Sequence, residues 1–368
     1  MTNQTRTIVI AEAGVNHNGD LELALELVDR AAEARVDFVK FQTFKASKLA
    51  TKAAPKAAYQ KATTDADESQ LDMLRRLELT PTDHRVLIER CTEKGIDFLS
   101  TAFDLDSLAF LADDLGLNTL KLGSGELTNG PILLAAARSG MSLLLSTGMG
   151  SLAEVEEALG VIAFGLMHLG TPTGRTDFAE ALLHPTAWAA LRERVTLLHC
   201  TTEYPAAVED TNLRAIDTMR QAFGLRVGYS DHTRGNAMSI AAVARGASVI
   251  EKHFTLDRKM DGPDHAASVE PDELAQLVRD IRAVEAGLGS GIKQPGPAEI
   301  RNRPIVRKCV IAARHITAGR TIVPDDLATK RGEGAIPAIA LWDCVGRRAR
   351  RDLAAETAFD WEAMTWAD

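Results

Sequence analysis

Eight times between Thr7 and about Gly289, a short β-branched run gives way to a longer amphipathic stretch. That alternation is the pattern of parallel strands joined by helices. The strand runs are TIVIAEAGV, DFVKFQTF, IDFLSTAF, NTLKLGSGE, SLLLSTGM, VTLLHCTTEYP, RVGYSDHT and SVIEKHFT. Between them, stretches such as LELALELVDRAAEARV and LDSLAFLADDLG repeat apolar residues at spacings of three and four, as a helix packed on one face requires. Eight such units close a barrel, whereas an open doubly wound sheet usually has about five to seven strands. The first strand runs into GVNHNGD rather than a Gly-rich dinucleotide fingerprint. The predicted fold is therefore α/β, a (β/α)8 barrel.

A barrel takes about 250 residues, and this chain has 368. The excess predicts a barrel domain over 1–290, a linker over 291–304 (GIKQPGPAEIRNRP) and a small β-rich domain over 305–368. In that last part the runs KCVIAARHI and RTIVP alternate with turns. Two segments interrupt the barrel rhythm. A long polar connection over 44–80 follows the second strand, where barrel loops carry lids and specificity elements. A second insertion, roughly 165–194, precedes the sixth strand and belongs to the opposite face.

Hydrophobic residues at 45% supply ample core, and a net charge of -9 with scattered basic residues excludes the cationic footprint that nucleic acid or an anionic membrane needs. MTNQTRTIVI lacks the head and apolar run of a signal peptide, and no apolar stretch approaches the roughly 20 residues of a membrane span. A cytoplasmic location is expected. Cys91, Cys200, Cys309 and Cys344 show no paired spacing and read as free thiols. Cys200 follows His199 but sits inside the apolar run VTLLHC, which favours a core role over a nucleophilic one.

Residues at the C-terminal ends of barrel strands point into one mouth, and nearly every strand here ends in polar residues: Glu12 and Asn16, Lys40 and Gln42, Ser100 and Thr101, Lys121 with Ser124 and Glu126, Ser146 and Thr147, Thr202 and Tyr204, Ser230 with Asp231 and His232, Glu251 and His253. His232 and His253 end neighbouring strands at equivalent heights, so their imidazoles can share a divalent metal. Two nitrogen donors suit an exchangeable ion such as Mn²⁺ or Mg²⁺, with water or substrate oxygens completing the shell. Lys40 and Lys121 lie within apolar strands, where an unpaired ammonium is costly, so they must meet anions. Gly123, Ser124, Gly125, Ser146 and Gly148 add small residues and hydroxyls suited to a phosphate, while a salt bridge from either lysine to Glu12 or Glu126 is the plainer alternative.

The runs IAEAGVNHNGD, VKFQTF, ESQLDML, FLSTAFD, KLGSGE, LSTGM, LLHCTTEYP, GYSDHT, IEKHFTLD, GPDH and TKRGEG closely resemble the sialic acid synthase family, including N-acetylneuraminate and legionaminate synthases, across almost the whole chain. The resemblance implies that His232 and His253 bind the metal, Mn²⁺ foremost and Mg²⁺ or Co²⁺ as alternatives. It implies that Lys40, Thr101, Lys121, Ser124, Ser146 and Ser230 hold phosphoenolpyruvate. Glu12, Tyr204 and Asp264 match residues that contact an N-acetylated amino sugar, and Glu126 an acidic group beside phosphoenolpyruvate. From about Ile305 the chain resembles the family's antifreeze-like (SAF) domain, which swaps across a homodimer and would bring Arg331 to the partner's sugar site. Thr202 stands where the family commonly has Asn, Gly332 where it has Pro, and the insertion before the sixth strand is longer than usual.

The implied reaction is attack of phosphoenolpyruvate C3 on the sugar aldehyde, then water addition at C2 assisted by Glu12, Glu126 or Asp264, with C–O cleavage and phosphate release. The runs ESQLDML, HCTTEYP and GYSDHTRG lean towards legionaminate synthases, with 2,4-diacetamido-2,4,6-trideoxymannose as acceptor rather than N-acetylmannosamine. A synthase acting on a phosphorylated aldose would need a further cationic pocket, and beyond Lys40 and Lys121 only Arg331 stands out. An ice- or surface-binding role would want a weakly charged patch, which Arg347, Arg348, Arg350 and Arg351 deny.

Overall fold

The computed structural model describes residues 6–57, 60, 64 and 68–366. Eight parallel strands close in sequence order into a barrel: β1 (Ile8–Gly14), β2 (Phe38–Thr43), β3 (Asp97–Ala102), β4 (Thr119–Leu122), β5 (Ser142–Ser146), β6 (Val195–Cys200), β7 (Arg226–Asp231) and β8 (Val249–His253). Strand β1 pairs with β8 at Glu12 and His253, which completes the ring.

Alternation along the strands explains how one sequence supplies both a core and a site. Outward residues such as Val9, Val39, Leu120, Leu145, Leu197 and Ile250 pack into the main core beneath the surrounding helices. Inward residues Ile10, Leu99, Leu144, Leu198 and Val249, with Ile8 and Phe38, form a separate apolar plug inside the barrel. Because the strand period is two, the next inward residue after the plug is Glu12 on β1, Lys40 on β2, Thr101 on β3, Ser146 on β5, Cys200 on β6 and Glu251 on β8. The apolar plug is thus the floor of a polar mouth. Gly228 leaves room on β7, since a Cβ there would meet Leu198 Cδ2 and the Val249 carbonyl at 2.6 Å.

The connection over 44–80 is less loop-like than its polarity predicts. It holds helices Ala46–Leu49 and Gln70–Leu77, the latter capped by Ser69 accepting from the Asp72 N–H at 3.1 Å. Met73 and Leu77 pack with Val15 and Phe44 into a satellite core. Residues 58, 59, 61–63 and 65–67 of this segment lie outside the described residues. The insertion before β6 forms helices Arg175–Leu182 and Ala187–Arg194, and the ring of Phe178 meets Phe164 edge-on at 5.5 Å. It leads into the N-terminal end of β6, away from the polar mouth.

The chain divides into two compact units, Met1–Ser290 and Gly291–Asp368. The segment expected as a linker contains a helix, Pro297–Val306. Its prolines and glycines read as breakers, yet Pro297 occupies the first helical turn and Glu299 accepts from the Gly296 N–H at 2.8 Å, which are start signals. The second unit pairs β9 (Lys308–Ala312) with β10 (Leu327–Arg331) and β11 (Arg347–Ala349) with β12 (Met364–Trp366), all antiparallel. RTIVP is not one of these strands: Thr321 makes a single bridge with Arg348 before the turn Pro324–Asp326. Val310, Ile316, Ile322, Ile336 and Phe359 form this unit's own core.

Candidate active site

The polar mouth is a cavity of about 160 Å³. Glu12, Lys40, Thr101, Lys121, Ser124, Ser146, Thr202, Tyr204, Ser230, His232 and His253, all singled out from sequence, line it. Gln42, Phe103, Cys200 and Glu251 line it as well.

Charge is arranged along one wall. Lys40 is ion-paired with Glu12, donates to Thr101 Oγ1 at 2.8 Å and lies 3.6 Å from Glu251. Lys121 lies 3.5 Å from the same Glu251, whose Oε1 also accepts from Ser230 at 2.7 Å. Both lysines are buried, and they answer their desolvation cost with carboxylates; of the two partners that the plainer sequence reading offered, Glu12 pairs with Lys40, whereas Glu126 accepts from Asn129. Burial alone would push Glu251 up, yet Lys121 and then Lys40 hold it well below the usual carboxylate range. Glu12 goes the other way: burial raises its carboxyl to about 7, with Glu251 adding to the effect and Lys40 opposing it. The mouth therefore holds one firmly ionised carboxylate shared by two ammonium groups, and one readily protonated carboxyl.

Across the mouth the rings of His232 and His253 stand 5.4 Å apart, centroid to centroid. Tyr204 lies tilted against His232 at 4.1 Å and meets His253 edge-on at 5.4 Å. Burial pushes His232 down to about 4, and burial together with the His232 ring pushes His253 well below its ordinary value, so both are neutral at pH 7. A metal ligand must be in that state. His232 Nδ1 donates to the Thr201 carbonyl at 2.6 Å, which fixes the tautomer and leaves Nε2 as a lone pair. Ser230 lies 3.2 Å from that Nε2, but its hydroxyl hydrogen is directed to Glu251. His253 Nδ1 is buried with no hydrogen-bond partner, and Asp264 Oδ2 lies 3.9 Å from it. Two neutral imidazoles lining one cavity, His232 with an open Nε2 and His253 with an unpartnered Nδ1, fit a divalent cation. Among the described residues no group of three or more His, Cys, Asp or Glu side chains closes around one point, so the donor set suits an exchangeable ion with open positions and not a closed structural site.

Ser124 receives the Gly148 N–H at 3.2 Å and touches Cys200 Sγ at 3.0 Å. A Cβ on Gly148 would meet Thr202 Oγ1 at 2.3 Å and Ser124 Oγ at 2.6 Å, so the glycine keeps this corner open. Asp264, raised to about 6 by burial, stands behind Glu12 near Gly14 and His253. Glu126 is not part of the lining; its carboxylate accepts from Asn129 at 2.6 Å. Arg331 ends β10 in the second unit and is exposed there. All four cysteines are free and buried, and Cys200 belongs to the mouth as much as to the core. Glu251 was read from sequence only as a polar strand end, and its part as the counter-ion shared by both lysines was missed. Its signal was parity: it precedes His253 by two on the same strand and therefore shares its face.

Residues 27–293 match the model of the NeuB family. The chain belongs to the NeuB family. Residues 307–363 match the SAF domain, which follows the NeuB region in this chain. The NeuB-family relatives include N,N'-diacetyllegionaminic acid synthase of Campylobacter jejuni, 46% identical over 94% of this chain and 97% of that protein. The protein of the same name from Legionella pneumophila is 43% identical over 96% of this chain and 93% of its own length. Among solved structures, N-acetylneuraminic acid synthetase of Leptospira borgpetersenii in complex with citrate superposes with a TM-score of 0.65 at 32% identity, over 82% of this chain and 94% of that one. The NeuB family accounts for the barrel and the SAF match for the small antiparallel unit, as the sequence resemblance implied.

Proposed function

We propose that this chain condenses phosphoenolpyruvate with an N-acetylated mannosamine-type sugar, and that the acceptor is 2,4-diacetamido-2,4,6-trideoxymannose, giving N,N'-diacetyllegionaminic acid. The observation that carries the reading is a wall of two buried lysines facing two neutral imidazoles in one mouth. The names and identities of the Campylobacter and Legionella relatives support the choice of acceptor.

Phosphoenolpyruvate brings a carboxylate and a phosphate. Lys40 and Lys121 supply the matching cations, and Thr101, Ser124, Ser146 and Ser230 the hydroxyl donors around them. His232 and His253 would hold a divalent cation, Mn²⁺ foremost, which when bound supplies Lewis-acid polarisation of the acceptor's aldehyde oxygen. In the reaction a bond forms between C3 of phosphoenolpyruvate and the aldehyde carbon, and the aldehyde oxygen gains a proton. Water then adds to C2, and the C2–O bond breaks so that phosphate leaves with the bridging oxygen and the electron pair. Glu12 and Asp264 are the carboxyls best poised to carry a proton near neutral pH, since burial raises both. Glu126 would first have to leave Asn129. By the family likeness the working form is a homodimer in which the SAF unit of one subunit closes the mouth of the other and brings Arg331 to the sugar.

Phosphate release from phosphoenolpyruvate, measured with each acceptor in turn, tests the reading. Faster turnover with 2,4-diacetamido-2,4,6-trideoxymannose is expected, and a strong preference for N-acetylmannosamine would overturn the choice of acceptor.

A further inference from the structure

Behind the histidines, on the outer face of the same two strands, lies an ion pair the reaction does not use. Lys252 and Asp231 are fully buried, 3.0 Å apart, and directly partnered across β7 and β8. Asp231 Oδ1 accepts from the Thr233 N–H at 2.9 Å and the Thr233 hydroxyl at 2.7 Å, and Oδ2 accepts from Ser239 at 2.6 Å. Lys252 also donates to the Thr233 carbonyl at 2.5 Å. A buried pair of this kind is weak evidence for stability, because apolar residues of similar volume usually serve a core as well or better. Its place in the fold suggests what it does instead.

The β7–β8 ladder ends at Asp231 and Lys252, one residue short of His232 and His253. His253 is also paired with Glu12 of β1, and the His232 carbonyl accepts from the Ala206 N–H, but between β7 and β8 themselves the last cross-link is the one just below the histidines. We infer that the Asp231–Lys252 pair is a positioning element that holds the backbones of β7 and β8 at the separation from which His232 and His253 can share one cation. Thr233 extends the grip, since Asp231 and Lys252 clamp its N–H, hydroxyl and carbonyl on the far side of His232. The inference rests on the metal reading of the two histidines. It adds that the charge pair, absent from the mouth, governs how tightly the cation binds.

The test is Mn²⁺ affinity of the full-length chain, read from the electron paramagnetic resonance signal of free Mn²⁺, with phosphoenolpyruvate affinity in chelator as the companion readout. The variant Asp231→Asn with Lys252→Met removes both charges and the Lys252 donor to the Thr233 carbonyl at similar volume, while the Asn Oδ1 still accepts from the Thr233 N–H and hydroxyl and its Nδ2 can donate to Ser239 Oγ. It is expected to weaken Mn²⁺ binding about 10- to 100-fold, as loss of groups that orient metal ligands does, and to leave phosphoenolpyruvate binding by Lys40 and Lys121 unchanged. Wild-type Mn²⁺ affinity in this variant would overturn the inference, as would equal losses for both ligands. Should the double variant not fold, Ser239→Ala decides, since the Ser239 hydroxyl steadies the Asp231 Oδ2 that Lys252 pairs with; its loss must also weaken Mn²⁺ binding, and unchanged affinity refutes the role. Wild-type and His232→Ala chains binding Mn²⁺ equally well would instead sink the metal reading, and this inference with it.

Discussion

Lys121 illustrates how much a single residue can say. An ammonium inside an apolar strand has to meet an anion, and it meets Glu251 at 3.5 Å with a cavity beside it. Replacing Lys121 with Met removes one charge-assisted contact to the substrate, worth about 1.5–3 kcal/mol. Steady-state kinetics should therefore show kcat/KM for phosphoenolpyruvate about tenfold to a hundredfold lower, and an unchanged value would remove Lys121 from the site. Glu251 carries the opposite prediction, for stability. Glu251→Gln leaves two buried ammonium groups with only Glu12, a change that costs about 3–5 kcal/mol when a buried pair is broken. Thermal denaturation should show a lowered melting temperature that phosphoenolpyruvate, an incoming anion, raises by more than it raises the wild type's. The lysines and histidines were legible because each is an anomaly in an apolar run. Glu251 was legible as a polar strand end but not as the partner of both lysines, because a glutamate near a strand end is ordinary until its register with Lys40 and Lys121 is known.

At the level of elements, eight strands could be read from periodicity because alternation in each separates an outer core from an inner plug. Gly228 is where that geometry is tightest, and Gly228→Ala forces a methyl against Leu198 and the Val249 backbone. Chemical denaturation should show a loss of about 1–3 kcal/mol, the usual cost of overpacking, whereas wild-type stability would mean the plug has slack. The helix Pro297–Val306 was hidden because Pro and Gly signal both breaks and beginnings, and only the Glu299 contact to Gly296 tells them apart. From periodicity the small second unit was legible only as β-rich, since its strands run three to five residues and leave little to count, and its SAF character was legible only by resemblance.

For the whole molecule, two units with separate cores predict separable stabilities. Trp342, Trp361 and Trp366 lie in the second unit and only Trp188 in the first, so tryptophan fluorescence follows mainly the second. Burial alone would raise Asp326 there, but the Val323 N–H, Arg314 and Arg320 together hold it below its ordinary value. A depressed folded pKa gives stability that is complete above the unfolded value of about 3.9 and is lost as pH falls through the folded value. The fluorescence-detected transition should weaken across that acidic window, and Asp326→Asn should be weaker at neutral pH but lack the acid-induced loss. A chain ending at Val306 should keep the barrel's circular dichroism and bind phosphoenolpyruvate while losing nearly all turnover; full activity would refute the role of Arg331. The site itself is tested most directly by phosphate release from phosphoenolpyruvate and 2,4-diacetamido-2,4,6-trideoxymannose, before and after chelation, in the wild type and in His232→Ala with His253→Ala. Release that stops on chelation, returns with Mn²⁺ in the wild type and never returns in the double variant is the expected result, and full-rate release from the chelated enzyme would contradict it.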